Sequence, residues 1–187
     1  KLIDLNGKTL MPGFNDSHTH ISGNPKRYIE LSNTTSIVEI QTLVKDKAQA
    51  LAPGEWITGY GWSEDELTEK RKLTRYDLDD AAPNNPVVLT RAGAHSAVGS
   101  SLALATAGIT SQTPDPEGGV IERDDSGEPN GIIRERHNLL LDLVPQSSEE
   151  EMIDSLEVNL NQLLAKGITS ITDAQKTPIE YQRWEKL

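Results

Sequence analysis

Between Ile37 and Leu51 the apolar residues Ile37, Ile40, Leu43, Val44, Ala48 and Leu51 recur every three or four positions, so they share one face of a helix. Ser36 with Glu39 reads as a capping box at its start, and Pro53-Gly54 ends it. Ser148 with Glu151 opens a second, longer helix whose predicted buried stripe is Ile153, Leu156, Leu160, Leu163 and Leu164. Gly167 suits its left-handed C-cap, and Ile168 to Thr172 follows at once as a strand. A helix joined to a strand by one glycine is half of a βαβ unit, which implies a parallel sheet with helices outside.

The remaining pattern is of shorter elements. Lys1 to Leu5 and Lys8 to Met11 alternate apolar and polar positions around Asn6-Gly7, predicting a hairpin, and a further strand runs from Pro12-Gly13 to His20. Glu55 to Tyr60 and Pro86 to Arg91 are β-rich runs, with a capped helix predicted over Thr74 to Ala82 between them. Ser96 to Ala107 reads as a small-residue helix stopped by Gly108. Gly119 to Arg123 and Gly131 to Glu135 flank Asp125, Ser126 and Gly127, the signature of a hairpin.

Composition narrows the function. With 29 acidic against 18 basic residues the net charge is -11, which repels phosphate backbones, so no nucleic-acid partner is expected. The acidic clusters Glu64 to Glu69, Asp77 to Asp80, Asp124 to Glu128 and Glu149 to Glu151 read as solvated faces. No apolar run approaches the ~18 residues of a membrane span, and nothing reads as a signal peptide, so a cytoplasmic location is expected. There is no cysteine, so any metal must be held by histidines and carboxylates.

The chemistry concentrates in Met11-Pro-Gly-Phe-Asn-Asp-Ser-His-Thr-His20. Residues two apart on a strand project to one side, so His18 and His20 can reach one cation as neutral imidazole ligands; two histidines at this spacing are also met as ordinary surface or core residues. In its context the segment resembles the start of the amidohydrolase barrel, where a Pro-Gly turn leads into the first strand and its His-x-His end. Further segments resemble amidohydrolase family 3, the group that includes N-substituted formamide deformylases: Trp56 to Glu64, Pro86 to Leu104, Pro114 to Glu135, and Gly167 to Ala174, the last being similar to the second barrel strand. Gly93, Val98 and Ser100 stand where that family more often has an acidic residue, a tryptophan and an asparagine.

The resemblance implies an α/β fold: a partial metal-dependent hydrolase TIM barrel, first strands only, with a large α+β insertion between the first and second barrel strands. Residues 1–12 are expected to be a remnant of a small β-domain, 13–22 the first barrel strand, 23–146 the insertion, and 147–187 the first barrel helix, the second strand and the start of the next helix. It also implies hydrolysis of a carbon-nitrogen bond in a small-molecule amide or formamide by metal-activated water. The metal is expected to be zinc, with iron, nickel or manganese as alternatives, held by His18, His20 and Glu135; for Glu135 a salt bridge with Arg134 or Arg136 competes. His95, Trp62, Arg91 and Asp173 are candidates for contact with substrate, against the plainer readings of a hydrogen-bonded histidine, a packing tryptophan and an ion-paired arginine.

An eight-stranded barrel takes roughly 200 to 250 residues, so a chain of 187 residues with a long insertion is expected to be a fragment, inactive alone and associating through exposed strand edges. The competing expectation is a non-catalytic interaction module, in which roughly Gly23 to Pro145 folds by itself.

Overall fold

The computed structural model describes residues 3–21, 23–173 and 177–187. Lys1 and Leu2 of the predicted first strand, Ser22, and Ala174 to Lys176 lie outside the described residues. The elements in chain order are β1 (Phe14–Thr19), β2 (Tyr28–Glu30), α1 (Ile37–Ala50), β3 (Ile57–Trp62), α2 (Arg75–Asp79), β4 (Val87–Arg91), β5 (Ser96–Gly99), α3 (Ser101–Thr106), β6 (Val120–Arg123), β7 (Pro129–Arg134), α4 (Asn138–Leu141), α5 (Glu149–Ala165), β8 (Ile168–Asp173) and α6 (Pro178–Trp184). They fall into two compact units: Arg27–Gln146, and a smaller one made of Lys1–Lys26 with Ser147–Leu187.

The larger unit is built on a six-stranded sheet ordered β2-β3-β4-β5-β7-β6. β2, β3 and β4 run parallel, whereas β5 is antiparallel to both β4 and β7. Alternation along the strands splits the buried residues between the two faces. Val87, Leu89, Val98 and Ile132 join one core with Ile37, Ile40 and Val44 of α1 and Leu78 of α2. Val88, Ala97 and Ile133 join a second core with Ala103 and Leu104 of α3 and Leu140 of α4. Helices therefore cover a mixed sheet on both sides.

One glycine decides where a candidate residue points. Tyr60 pairs with Thr90 and Trp62 with Arg91, so Gly61 is an extra residue in β3. Its φ is 109°, and a Cβ there would lie 2.3 Å from Ser32 Oγ, so only glycine fits. The inserted residue flips the strand's parity and sends Trp62 into the same core as Ile57.

Several expectations change in this unit. Ser96 to Ala107 is not one helix: Ser96–Gly99 is a strand held between β4 and β7, and α3 begins only after Ser100. Ser100 Oγ accepts the N–H groups of both Ala103 and Val87, capping the helix and tying it to the sheet. At α1 the capping box is offset: Ser36 accepts the Glu39 N–H, but the Glu39 carboxylate accepts from Thr35. Nor are all the acidic clusters solvated, because Asp77 is buried and takes two hydrogen bonds from Arg71 and one from the Thr74 N–H. Burial pushes its carboxyl pKa up, but the Arg71 and Thr74 hydrogen bonds outweigh that and hold it below the usual value.

The smaller unit pairs β1 with β8 in parallel, Thr19 opposite Asp173, with α5 leading into β8. Gly167, with φ 82°, follows the helix as expected, and its carbonyl accepts the Phe14 N–H at 2.8 Å. The predicted α5 stripe is mostly not buried: Leu156 is enclosed, whereas Leu164 is 56 % exposed. The hairpin around Asn6-Gly7 is reduced to its turn, closed by Lys8 N–H to the Leu5 carbonyl, with no strand on either side among the described residues. Among the described residues no helix is long and apolar enough to cross a membrane.

Candidate functional site

In the smaller unit, parallel pairing brings two strand ends together. His18 lies in β1 and His20 just beyond it, both exposed, and Asp173 is the last residue of the neighbouring β8. The Asp173 side chain is 6 % exposed; its Oδ2 accepts the Ile21 N–H at 2.9 Å, and its Oδ1 lies 3.8 Å from His20 Nδ1. Asp173 thus anchors the backbone that follows His20. Carboxyl ends of parallel strands are where barrel folds collect their chemistry.

The His18 and His20 rings stand edge to face, with centroids 5.1 Å apart. An imidazole nitrogen binds zinc at about 2.0 to 2.1 Å, which puts its ring centre roughly 3.2 Å from the ion; two rings at the tetrahedral angle are then about 5.2 Å apart. The spacing is compatible with two ligands of one ion and equally with an ordinary edge-to-face ring contact. The donor set stops at two, however: among the described residues no group of three or more histidines, aspartates and glutamates is placed to hold a metal.

The other candidates belong to the larger unit. β3, β4 and β7 run in one direction, so Trp62, Arg91 and Glu135 lie at the same end of the sheet, joined there by His95, which precedes antiparallel β5. Trp62 is 2 % exposed and donates its indole N–H to the Leu89 carbonyl, so it packs in the core. Arg91 Nε donates to Glu64 at 2.6 Å. This contact holds the Glu64 carboxyl below its usual range and raises the guanidinium. The sequence shows Glu64 as the start of an acidic cluster; its proximity to Arg91 depends on the β3–β4 register.

Glu135 pairs with neither flanking arginine. Arg134 reaches Glu122 at 3.1 Å and Arg136 the Glu117 carbonyl at 2.8 Å. Its own carboxylate lies 3.3 Å from His95 Nδ1, which joins two residues first assigned to separate roles.

A parallel strand pair presenting His-x-His and an aspartate at its carboxyl end, in a chain that also carries a mixed α/β unit, is the arrangement to compare with known hydrolases. A model of the amidohydrolase family matches residues 1–187, and the chain belongs to that family. It is 37 % identical over 170 residues to the putative amidohydrolase YtcJ of Bacillus subtilis, covering 89 % of this chain and 32 % of that protein. To the N-substituted formamide deformylase of Arthrobacter pascens it is 33 % identical over 186 residues, covering 95 % of this chain and 34 % of the relative. Its fold is similar to an uncharacterized metal-dependent hydrolase from Pyrococcus horikoshii, with a TM-score of 0.57 at 23 % identity over 95 % of this chain and 34 % of that one. The chain thus spans about a third of the length of the relatives it matches.

Proposed function

We propose that this chain forms part of the catalytic region of a metal-dependent amidohydrolase acting on carbon-nitrogen bonds of small amides or formamides. In this reading β1 and β8 are the first two strands of a barrel, and residues 27–146 are inserted between them. The observation that carries it is the pairing of β1 with β8, which sets His18, His20 and Asp173 together at a parallel strand end. Membership of the amidohydrolase family and the relative named as a formamide deformylase support the reaction class.

His18 and His20 would hold a divalent ion, zinc by donor type with iron, nickel or manganese as alternatives. When bound it would supply a water acidic enough to act as nucleophile near neutral pH. Asp173 fixes the strand end through the Ile21 N–H and keeps a carboxylate beside His20 Nδ1. A carboxylate at this position orients an imidazole ligand. Among the described residues the β1–β8 sheet has two strands, and its outer edges are where further strands or a second copy would pair.

Two ligands hold a metal weakly, so this chain by itself is expected to turn over no amide. Robust metal-dependent turnover across an amide and formamide panel would contradict the incomplete ligand set. Metal content of the chain held in equilibrium with excess zinc, iron or nickel tests the site itself. Bound zinc, iron or nickel that is lost in His18→Ala and in His20→Ala is the expected result, and metal binding indifferent to both substitutions defeats the proposal. The reading of an interaction module confined to the larger unit is not favoured, because the family match runs through both units.

A further inference from the structure

β6 is an outer strand of the larger sheet, and an outer strand presents backbone N–H and C=O groups to which another chain can add. Along an antiparallel pair, residues alternate between bonding the partner strand and pointing their backbone groups outward. In β6 the outward residue is Ile121, which stands opposite Ile133 of β7. Both of its groups are already taken. The Ile121 N–H donates to Asp115 Oδ1 at 3.0 Å, and the Ile121 carbonyl accepts Arg123 Nη1 at 2.8 Å. The two side chains also meet each other, with Arg123 Nη1 3.3 Å from Asp115 Oδ1.

The segment that carries Asp115 does not act as a strand beside β6. Asp115 stands between Pro114 and Pro116, neither of which has an N–H, so the segment delivers a side chain to the edge where a strand would deliver backbone. A turn closed by the Gly119 N–H on the Pro116 carbonyl at 3.0 Å, with Gly118 at φ 71°, leads the chain back into β6. Arg123 is fixed at its other prong, Nη2, by the Thr113 carbonyl, and the Thr113 N–H is itself bonded to the Thr110 carbonyl at 3.0 Å. The hydrogen bond from Ile121 is the chief influence holding the Asp115 carboxyl below its usual range, which keeps it ionised and accepting at neutral pH. A surface ion pair is worth little by itself, so the consequence of this one is the two backbone groups it occupies. The opposite edge is managed differently, since β2 is only 3 residues long.

We infer that Asp115 and Arg123 close the β6 edge against strand addition, so that a second copy of this chain cannot extend the larger sheet there. The inference concerns the larger unit alone and rests on no assumption about the reaction.

Sedimentation velocity of the 187-residue chain over a range of concentrations tests this, comparing the parent with Asp115→Ala/Arg123→Ala and with Asp115→Asn. The double substitution removes one charge of each sign, so the net charge stays at -11. Any association through the β1–β8 edges is common to all three chains and cancels in the comparison. The double variant is expected to self-associate about 10-fold or more tighter than the parent, as the freed backbone groups are bonded between copies. Asp115→Asn keeps an oxygen acceptor for the Ile121 N–H and should stay within about 3-fold of the parent. Amide hydrogen exchange locates the effect. In dilute double variant the Ile121 amide should exchange about 10-fold or more faster than in the parent, while Val120, paired with Arg134 of β7, keeps its protection. On association the protection of Ile121 should return. Self-association no tighter than the parent's overturns the inference, and so does association that leaves Ile121 unprotected. Loss of protection at Val120 also overturns it, because Asp115 and Arg123 would then be holding β6 in the sheet and not closing its edge.

Discussion

The two units spend their residues differently. In the larger one, apolar layers cover both faces of a six-stranded sheet, and Ile40, Val88, Leu89 and Ile133 are fully enclosed. In the smaller one the sheet has two strands, and its buried apolar residues among those described are Ile21 and Leu156. Phe14, Leu164 and Ile179 are each more than half exposed there. A two-stranded ribbon is marginal without something to pack on. The paired histidines therefore sit on the part with the least core of its own, whereas His95 and Glu135 sit at the end of the well-packed six-stranded sheet. Stability and the proposed metal chemistry are assigned to different stretches of the chain.

Hydrogen exchange should break this comparison most visibly. Amides of β4 are expected to exchange on the order of 100-fold or more slower than those of β1 and β8, since local opening follows buried contact. Equal protection would show that the ribbon is as firmly held as the sheet. In mutagenesis, Leu89→Ala should cost about 3 kcal/mol through the cavity it leaves, whereas Leu164→Ala should stay within about 0.5 kcal/mol. Denaturant midpoints measure both, and similar losses would contradict the difference in packing.

Asp77→Ala should cost about 2 kcal/mol, from a lost helix-start hydrogen bond and the contact with Arg71. The carboxyl of Asp77 is depressed in the folded state, so its contribution is present above the unfolded pKa of about 3.9 and disappears as pH falls through the folded value. Stability measured from pH 7 to 2 should therefore fall less steeply in the variant than in the parent. The smallest effect is expected at Glu135→Gly, a gain of about 0.5 kcal/mol as a disfavoured φ is relieved. A clear loss on thermal unfolding would mean that the His95 contact stabilises more than the backbone costs.

Where periodicity and local turn chemistry sufficed, the elements were legible: α1 from its three-and-four spacing, the β6–β7 hairpin from its turn residues, and Gly167 from the end of α5. β5 was not, because Ser-Ala-Val-Gly has helix-tolerant small residues and becomes a strand only through pairing with β4 and β7. The α5 stripe has the right spacing, but spacing says nothing about what covers a face. The two-residue spacing of His18 and His20 was legible, and their rings do lie 5.1 Å apart, with His20 just beyond the end of β1. The contact of His95 with Glu135 was not, since the pair is separated by 40 positions and meets through antiparallel register. Trp62 points inward for a similar reason, the parity change at Gly61.

The most direct measurement is a zinc titration of the chain, comparing the parent with His18→Ala, His20→Ala and His95→Ala. One weakly bound ion per chain is expected, with affinity falling about 10-fold or more in each of the first two variants and unchanged in the third. Zinc binding that survives both His18→Ala and His20→Ala, or that depends instead on His95, would contradict a metal site at the end of β1.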